Sequence, residues 1–233
     1  MNSYRLSGAL ALTTLLGSFY FSTDARQKAW AEAQQTPSSA VSCYFVGRFY
    51  FSETTGKAEV AGYFSDMNGI GESDSLFNGS PSEQTAFFTF RSDTLSLMSL
   101  PNNGDISLLL GSAGTYNIYY NSSPKGDWSN PDSFSGGQPF PGDPIAHFMR
   151  PEFLDLQFDS FSFSLHAITE SLVASKSFSF NGHEYDFNEL TPDGVTLYNS
   201  VSNTPLAGVA GFTFVLPYAG HCVAVAGGDR DQQ

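Results

Sequence analysis

Charge is scarce in this chain, and most of it has one sign. Charged residues make up 14% of the sequence, against roughly a quarter in an average soluble domain. Lys and Arg together number 10 and Asp and Glu 23, for a formal net charge of -13. Such a surface repels phosphate backbones and anionic headgroups, so nucleic acid is excluded as an expected partner. No G-x-S-x-G or H-E-x-x-H pattern occurs, and His147, His166, His183 and His221 have no metal-ligand spacing, so no cofactor, metal or catalytic motif is expected. There is no internal repeat of fixed period, which disfavours a propeller or solenoid. No amphipathic helix emerges after the N-terminus.

Long apolar runs are also missing. The one candidate, Leu6 to Phe21, is interrupted by Gly and Ser, and a membrane span needs about 20 predominantly apolar residues. Behind Arg5 it reads as a secretory signal, with Ala29-Trp30-Ala31 or Thr23-Asp24-Ala25 at the cleavage site. Residues 1–33 are therefore expected to be a signal peptide. Membrane contact is expected only if that segment stays uncleaved, and the protein is expected to be secreted or periplasmic. Residues 34–42, with Pro37 among Ser and Thr, read as a flexible linker, 43–226 as one domain and 227–233 as a polar tail.

What the chain does have is aromatic residues in alternation. Phe alone numbers 22. From Ala86 to Asn121, Phe88 and Phe90, then Leu95 and Leu97, then Ile106, Leu108 and Leu110, then Tyr116, Ile118 and Tyr120 recur with a two-residue period, so each set lies on one face of a strand. The four runs read as an antiparallel meander, with Pro101 to Asp105 as a hairpin turn. Cys43 to Phe51 and Ala58 to Phe64 form an earlier hairpin around Gly56. Phe153 to Phe158 and Phe161 to Leu165 alternate again, with a phase slip at Asp159 and Ser160 that suggests a bulge. Val195 to Tyr198, Phe212 to Leu216 and Cys222 to Ala226 are the last strands. About a dozen strands with regular turns predict an all-β, single antiparallel domain, an up-and-down barrel being favoured over a two-sheet sandwich.

Two long loops, Asp66 to Gln84 and Asn121 to Pro144, interrupt the pattern. Trp128 in the second is expected to fold down over the sheet. Asp66, Asn68, Gly71, Glu72 and Asp74 resemble the start of a calcium loop, but Ile70 and Phe77 stand where ligands are needed. A solvated loop is expected instead.

Asn181-Gly182 sits between two aromatic runs and favours a two-residue type I′ turn. The register then sets Phe180 opposite His183, Phe178 opposite Tyr185 and Lys176 opposite Phe187, with Glu184 and Asp186 on the other face. Phe178, Phe180, His183, Tyr185 and Phe187 thus share one face and form the candidate ligand-binding set. His166 shares its parity with Ser162 and Ser164 and is expected on a wet face.

Cys43 and Cys222 are the only cysteines, one in the first strand of the domain and one in the last. Exported chains use such pairs as staples, and in a closed barrel a Cys43–Cys222 disulfide would pin the seam. Two free thiols, or a lipid on Cys43, are the alternatives. The functional expectation is an exported, non-enzymatic barrel that binds a small apolar molecule in an aromatic interior. One alternative is a barrel isomerase or cyclase with His183 in acid–base chemistry; another is a cell-surface or matrix interaction protein.

Overall fold

The computed structural model describes residues 36–71, 73–99, 106–111, 114–136, 144–150, 153–158 and 163–226. Thirteen strands occur among them. β1 (Val41–Ser52) and β2 (Lys57–Met67) form the first hairpin, turning at Gly56 with φ 64°. β3 (Phe88–Ser92), β4 (Leu95–Ser99), β5 (Ile106–Gly111) and β6 (Gly114–Tyr120) follow, and β3 pairs with β6 while β4 pairs with β5. The four runs expected to form a meander are instead the two broken arms of one long hairpin. A single register carries Phe88↔Tyr120 through Ser92↔Tyr116 and on to Leu97↔Gly111. The turn expected at Pro101 to Asp105 lies outside the described residues.

The reason is the neighbour on the other side. β2 runs along both β3 and β4, pairing Ala61 with Arg91 and Ala58 with Leu95, so one extra residue is accommodated at Asp93 and Thr94. There the Ser92 hydroxyl accepts the Val60 N–H at 3.0 Å, supplying what the bulged backbone does not. A bulge and a tight turn look alike in sequence.

β7 (Ala146–Arg150) and β8 (Phe153–Phe158) are likewise two halves of one arm, pairing with β6 and β5 in a common register. The bulge expected at Asp159 and Ser160 lies outside the described residues. β9 (Phe163–Ser175) pairs with both halves. After it come a small separate hairpin, β10 (Phe178–Phe180) with β11 (His183–Tyr185), and a one-turn helix, α1 (Phe187–Leu190). β12 (Val195–Ser202) and β13 (Phe214–Ala224) complete the chain of pairings, and β13 returns to β1. Counted as arms, the sheet is a closed eight-stranded antiparallel barrel in which sequence neighbours are spatial neighbours.

β13 unites two expected strands, Phe212 to Leu216 and Cys222 to Ala226. Pro217 lies inside this strand, one position past the last β12–β13 pair, Val201↔Tyr218, where its missing N–H leaves no bond of that ladder unmade. Cys43 and Cys222 face each other across the β1–β13 seam and form a disulfide, with Cα atoms 5.0 Å apart.

Aromatic rings fill the barrel interior. Phe90 stacks on Tyr116 at 4.9 Å and meets Phe45 and Phe64 edge-on, and Phe45 stacks on Tyr218 at 5.3 Å. Glycine makes the space: a Cβ on Gly62 would lie 2.7 Å from the tip of the Phe90 ring. Outside the barrel, Trp128 lies against Phe134 at 4.8 Å over the buried Tyr50, as expected for a tryptophan that folds down. Arg91 ties this flap down by reaching both Glu59 at 2.9 Å and Asp132 at 2.5 Å.

One end of the barrel is capped. In the β10–β11 hairpin the expected pairs Phe178↔Tyr185 and Phe180↔His183 form, and Asn181 and Gly182 have φ of 50° and 79°. The ladder stops before Lys176 and Phe187, however, because Asp186 turns the chain into α1. Its carboxylate accepts the Asn188 N–H at 2.8 Å and the Ser175 and Ser177 hydroxyls at 2.6 and 2.9 Å. The segment before β1 is tied to this cap, with the Thr36 N–H donating to the Leu190 carbonyl at 3.0 Å. Among the described residues no helix is long and apolar enough to cross a membrane.

Candidate functional site

Between the aromatic layer and the cap lies a cavity of about 30 Å³, measured as space for the centre of a water-sized sphere, enough for one or two waters. Its walls are chiefly apolar, from Phe64, Met67, Ile118, Phe148 and Leu197 of the barrel, with Phe187 and Leu190 of α1 as the roof. The Cys43–Cys222 disulfide closes one side.

Into this space point polar groups that make no hydrogen bond within the protein. They are both carboxyl oxygens of Glu170 and the hydroxyls of Thr36, Ser42 and Thr191, with the Tyr116 hydroxyl, which also approaches Tyr218, among them. Buried polar atoms are nearly always satisfied, by protein or by ordered water, so a convergence of such atoms on one cavity marks a place where something else completes the bonding.

Glu170 is the centre of the arrangement. It is 1% exposed, in the inward set of β9 with Ile168 and Leu172. Burial holds its carboxyl up at about 8, against the opposing pull of the Arg150 charge, so at neutral pH it is mostly protonated. The register that pairs Phe148 with Leu172 and Met149 with Ser171 continues to Arg150 opposite Glu170. Arg150 is 2% exposed and sits behind the carboxyl without lining the cavity. Its guanidinium passes over Gly114, where a Cβ would stand 3.0 Å from the terminal nitrogen. Burial lowers the affinity of Arg150 for its proton, and Glu170 offsets this. Tyr116 is pushed well above its ordinary range by burial first, then by Tyr218 and Glu170. The site is therefore two neutral hydroxyl-bearing acids facing an apolar space, with one cation behind them.

Of the residues expected to bind ligand, Phe187 lines the cavity. Phe178, Phe180 and Tyr185 are buried next to it in the aromatic cluster under the hairpin, where Phe178 stacks between Tyr185 and Phe187 and meets Phe88 edge-on. His183 is exposed at the hairpin tip, so it is not part of the apolar interior. A shared face at the end of a two-stranded ribbon does not bury both partners: Phe180 meets Phe87 and Phe88 edge-on, whereas His183 stays exposed. His166 reverses in the other direction: it belongs to the inward set of β9 and burial lowers it to about 4. Glu170 and Arg150 were missed, although a signal existed. Ile168, Glu170 and Leu172, like Ala146, Phe148 and Arg150, place one charge on an otherwise apolar alternation.

No metal site stands nearby; among the described residues no group of three or more His, Cys, Asp or Glu side chains could hold an ion. On the outer wall Tyr198 stacks on His221 at 5.4 Å and Tyr44 lies 5.9 Å from the same ring, leaving two half-exposed tyrosines. No family model, curated protein or solved structure matches the chain.

Proposed function

We propose that this is an exported, non-enzymatic barrel that binds a small, mostly apolar ligand in the cavity under the α1 cap. The observation that carries the reading is the unsatisfied Glu170 carboxyl in a space otherwise walled by aliphatic and aromatic side chains. Small-molecule sites have this character, a mostly apolar wall with a few oriented polar groups. A ligand larger than a few atoms enters only if the cap yields, and the cap is a short element: one helical turn, a two-stranded hairpin and the strand-leading segment at Thr36. Native mass spectrometry of the purified protein, released gently and then in denaturant, tests this. A copurifying neutral mass lost on denaturation is the expected result, and its loss in a variant with Phe187→Trp would assign it to the cavity. A protein that carries nothing and takes up no apolar compound overturns the reading.

One observation favours a second reading, acid–base catalysis on the bound molecule. A carboxyl titrating near 8 is well matched to proton transfer at neutral pH. In that reading Glu170, beside Tyr116, takes the role that the exposed His183 cannot fill. Turnover lost in Glu170→Gln with binding retained would support it.

A further inference from the structure

The charge arrangement behind the cavity narrows what the ligand can be. Among the described residues no Lys or Arg lines the space, so an anion entering it would lose its hydration without meeting a cation. A cation would gain an ionised Glu170, but it would then share the core with the Arg150 guanidinium, whose charge already acts on that carboxyl. Both kinds of ion are disfavoured. What the site offers instead is O–H donors: Glu170 and Tyr116, close enough for the charge of one to affect the other, with the hydroxyls of Thr36, Ser42 and Thr191 on the same space. A carbonyl oxygen has two lone pairs and can accept from both Glu170 and Tyr116.

We propose that the cavity holds the neutral oxygen-acceptor end of its ligand, a ketone, aldehyde or ester carbonyl, between the Glu170 carboxyl and the Tyr116 phenol. The inference rests on the binding reading above and adds the chemical class. The walls supply the rest of the recognition: Phe148, Ile118 and Leu197 are apolar and suit a hydrocarbon body, which enters only when the cap yields, while the Thr36, Ser42 and Thr191 hydroxyls are further polar groups on the space. The groups coupled to Glu170 are Arg150 from β7 and Tyr116 from β6, with Tyr218 from β13 acting on both of these and Asp93 acting on Arg150 from the β3–β4 bulge. Tyr116 is pushed well above its ordinary range, so Glu170, held up at about 8, is the group that sets the pH response.

Cyclopentanone with a ¹³C-labelled carbonyl tests the idea on the intact disulfide-bonded protein, titrated beside methylcyclopentane and cyclopentanecarboxylate. At pH 6 the ketone should bind at least tenfold more tightly than the hydrocarbon and its carbonyl resonance should move downfield. That preference should vanish as the pH rises through about 8, when Glu170 ionises and repels the acceptor. Glu170→Gln keeps an N–H donor and should bind the ketone without the pH dependence; Tyr116→Phe should weaken the ketone several-fold and leave the hydrocarbon unchanged. If ketone and hydrocarbon bind equally at every pH, the carbonyl inference fails while the binding reading stands. Tighter binding of the carboxylate would also overturn it, in favour of an anion site reached by Arg150. If none of the three binds to folded wild-type protein, both readings fall together, and the wild-type pH series decides this even where a variant does not fold.

Discussion

Glu170 and His166 lie on the same strand, two inward positions from each other across Ile168, and burial acts on them in opposite senses. Glu170 keeps its proton in the folded state up to about 8 and gives it up near 4.5 when unfolded, so its contribution falls as pH rises between those values. His166 is neutral in the folded state down to about 4 and takes a proton near 6.5 when unfolded, so its contribution falls as pH drops through that window. Where the windows overlap, the two slopes cancel. From these groups stability should be flat from about 4.5 to 6.5 and decline from there to about 8. Glu170→Gln removes the decline and uncovers the His166 slope, which should show in urea midpoints measured from pH 4 to 9. The gain at pH 8 has an upper limit of about 5 kcal/mol, since the amide is itself buried. A variant whose profile matches the wild type would mean that Glu170 is ionised in the folded protein at neutral pH.

At the scale of elements, the β10–β11 hairpin is the part most directly written in the sequence. Asn181-Gly182 forms the expected turn with both residues at positive φ, and the first two cross-strand pairs follow from it. A Cβ on Gly182 would meet nothing within 4 Å, so replacing it tests backbone strain alone. Gly182→Val should cost roughly 1 to 3 kcal/mol in chemical unfolding, and Gly182→Asn clearly less, because Asn tolerates the left-handed region. Equal losses would show that the turn has another geometry. The broken arms β3–β4 and β7–β8 were less legible. Two polar residues between apolar runs serve equally as a turn or as a bulge, and only the neighbouring strand, here β2 running past both halves, decides between them.

For the whole molecule, the seam between β1 and β13 is where the barrel closes, and the Cys43–Cys222 disulfide spans 179 residues across it. In the chain-entropy description a loop of that length contributes about 5 kcal/mol by restricting the unfolded state. The Cys43→Ser, Cys222→Ser double variant should therefore melt far below the oxidised protein, while retaining the barrel's far-ultraviolet signature at low temperature. Melting at an unchanged temperature would show that the first and last strands hold the seam without it. The two cysteines at the ends of the domain made this closure legible from the sequence, as the alternation of Phe88, Phe90, Tyr116 and Ile118 made the strands legible, because strand period and turn chemistry are local properties. Burial is not local. The sequence alone determined an antiparallel all-β chain, its Asn181-Gly182 hairpin and a terminal pair of cysteines; only the tertiary structure decided that His183 faces solvent, that Glu170 and Arg150 meet inside, and that their carboxyl and guanidinium share an apolar core. Those outcomes depend on which strands stand beside one another and on the water their closure excludes, and no stretch of chain carries that information by itself.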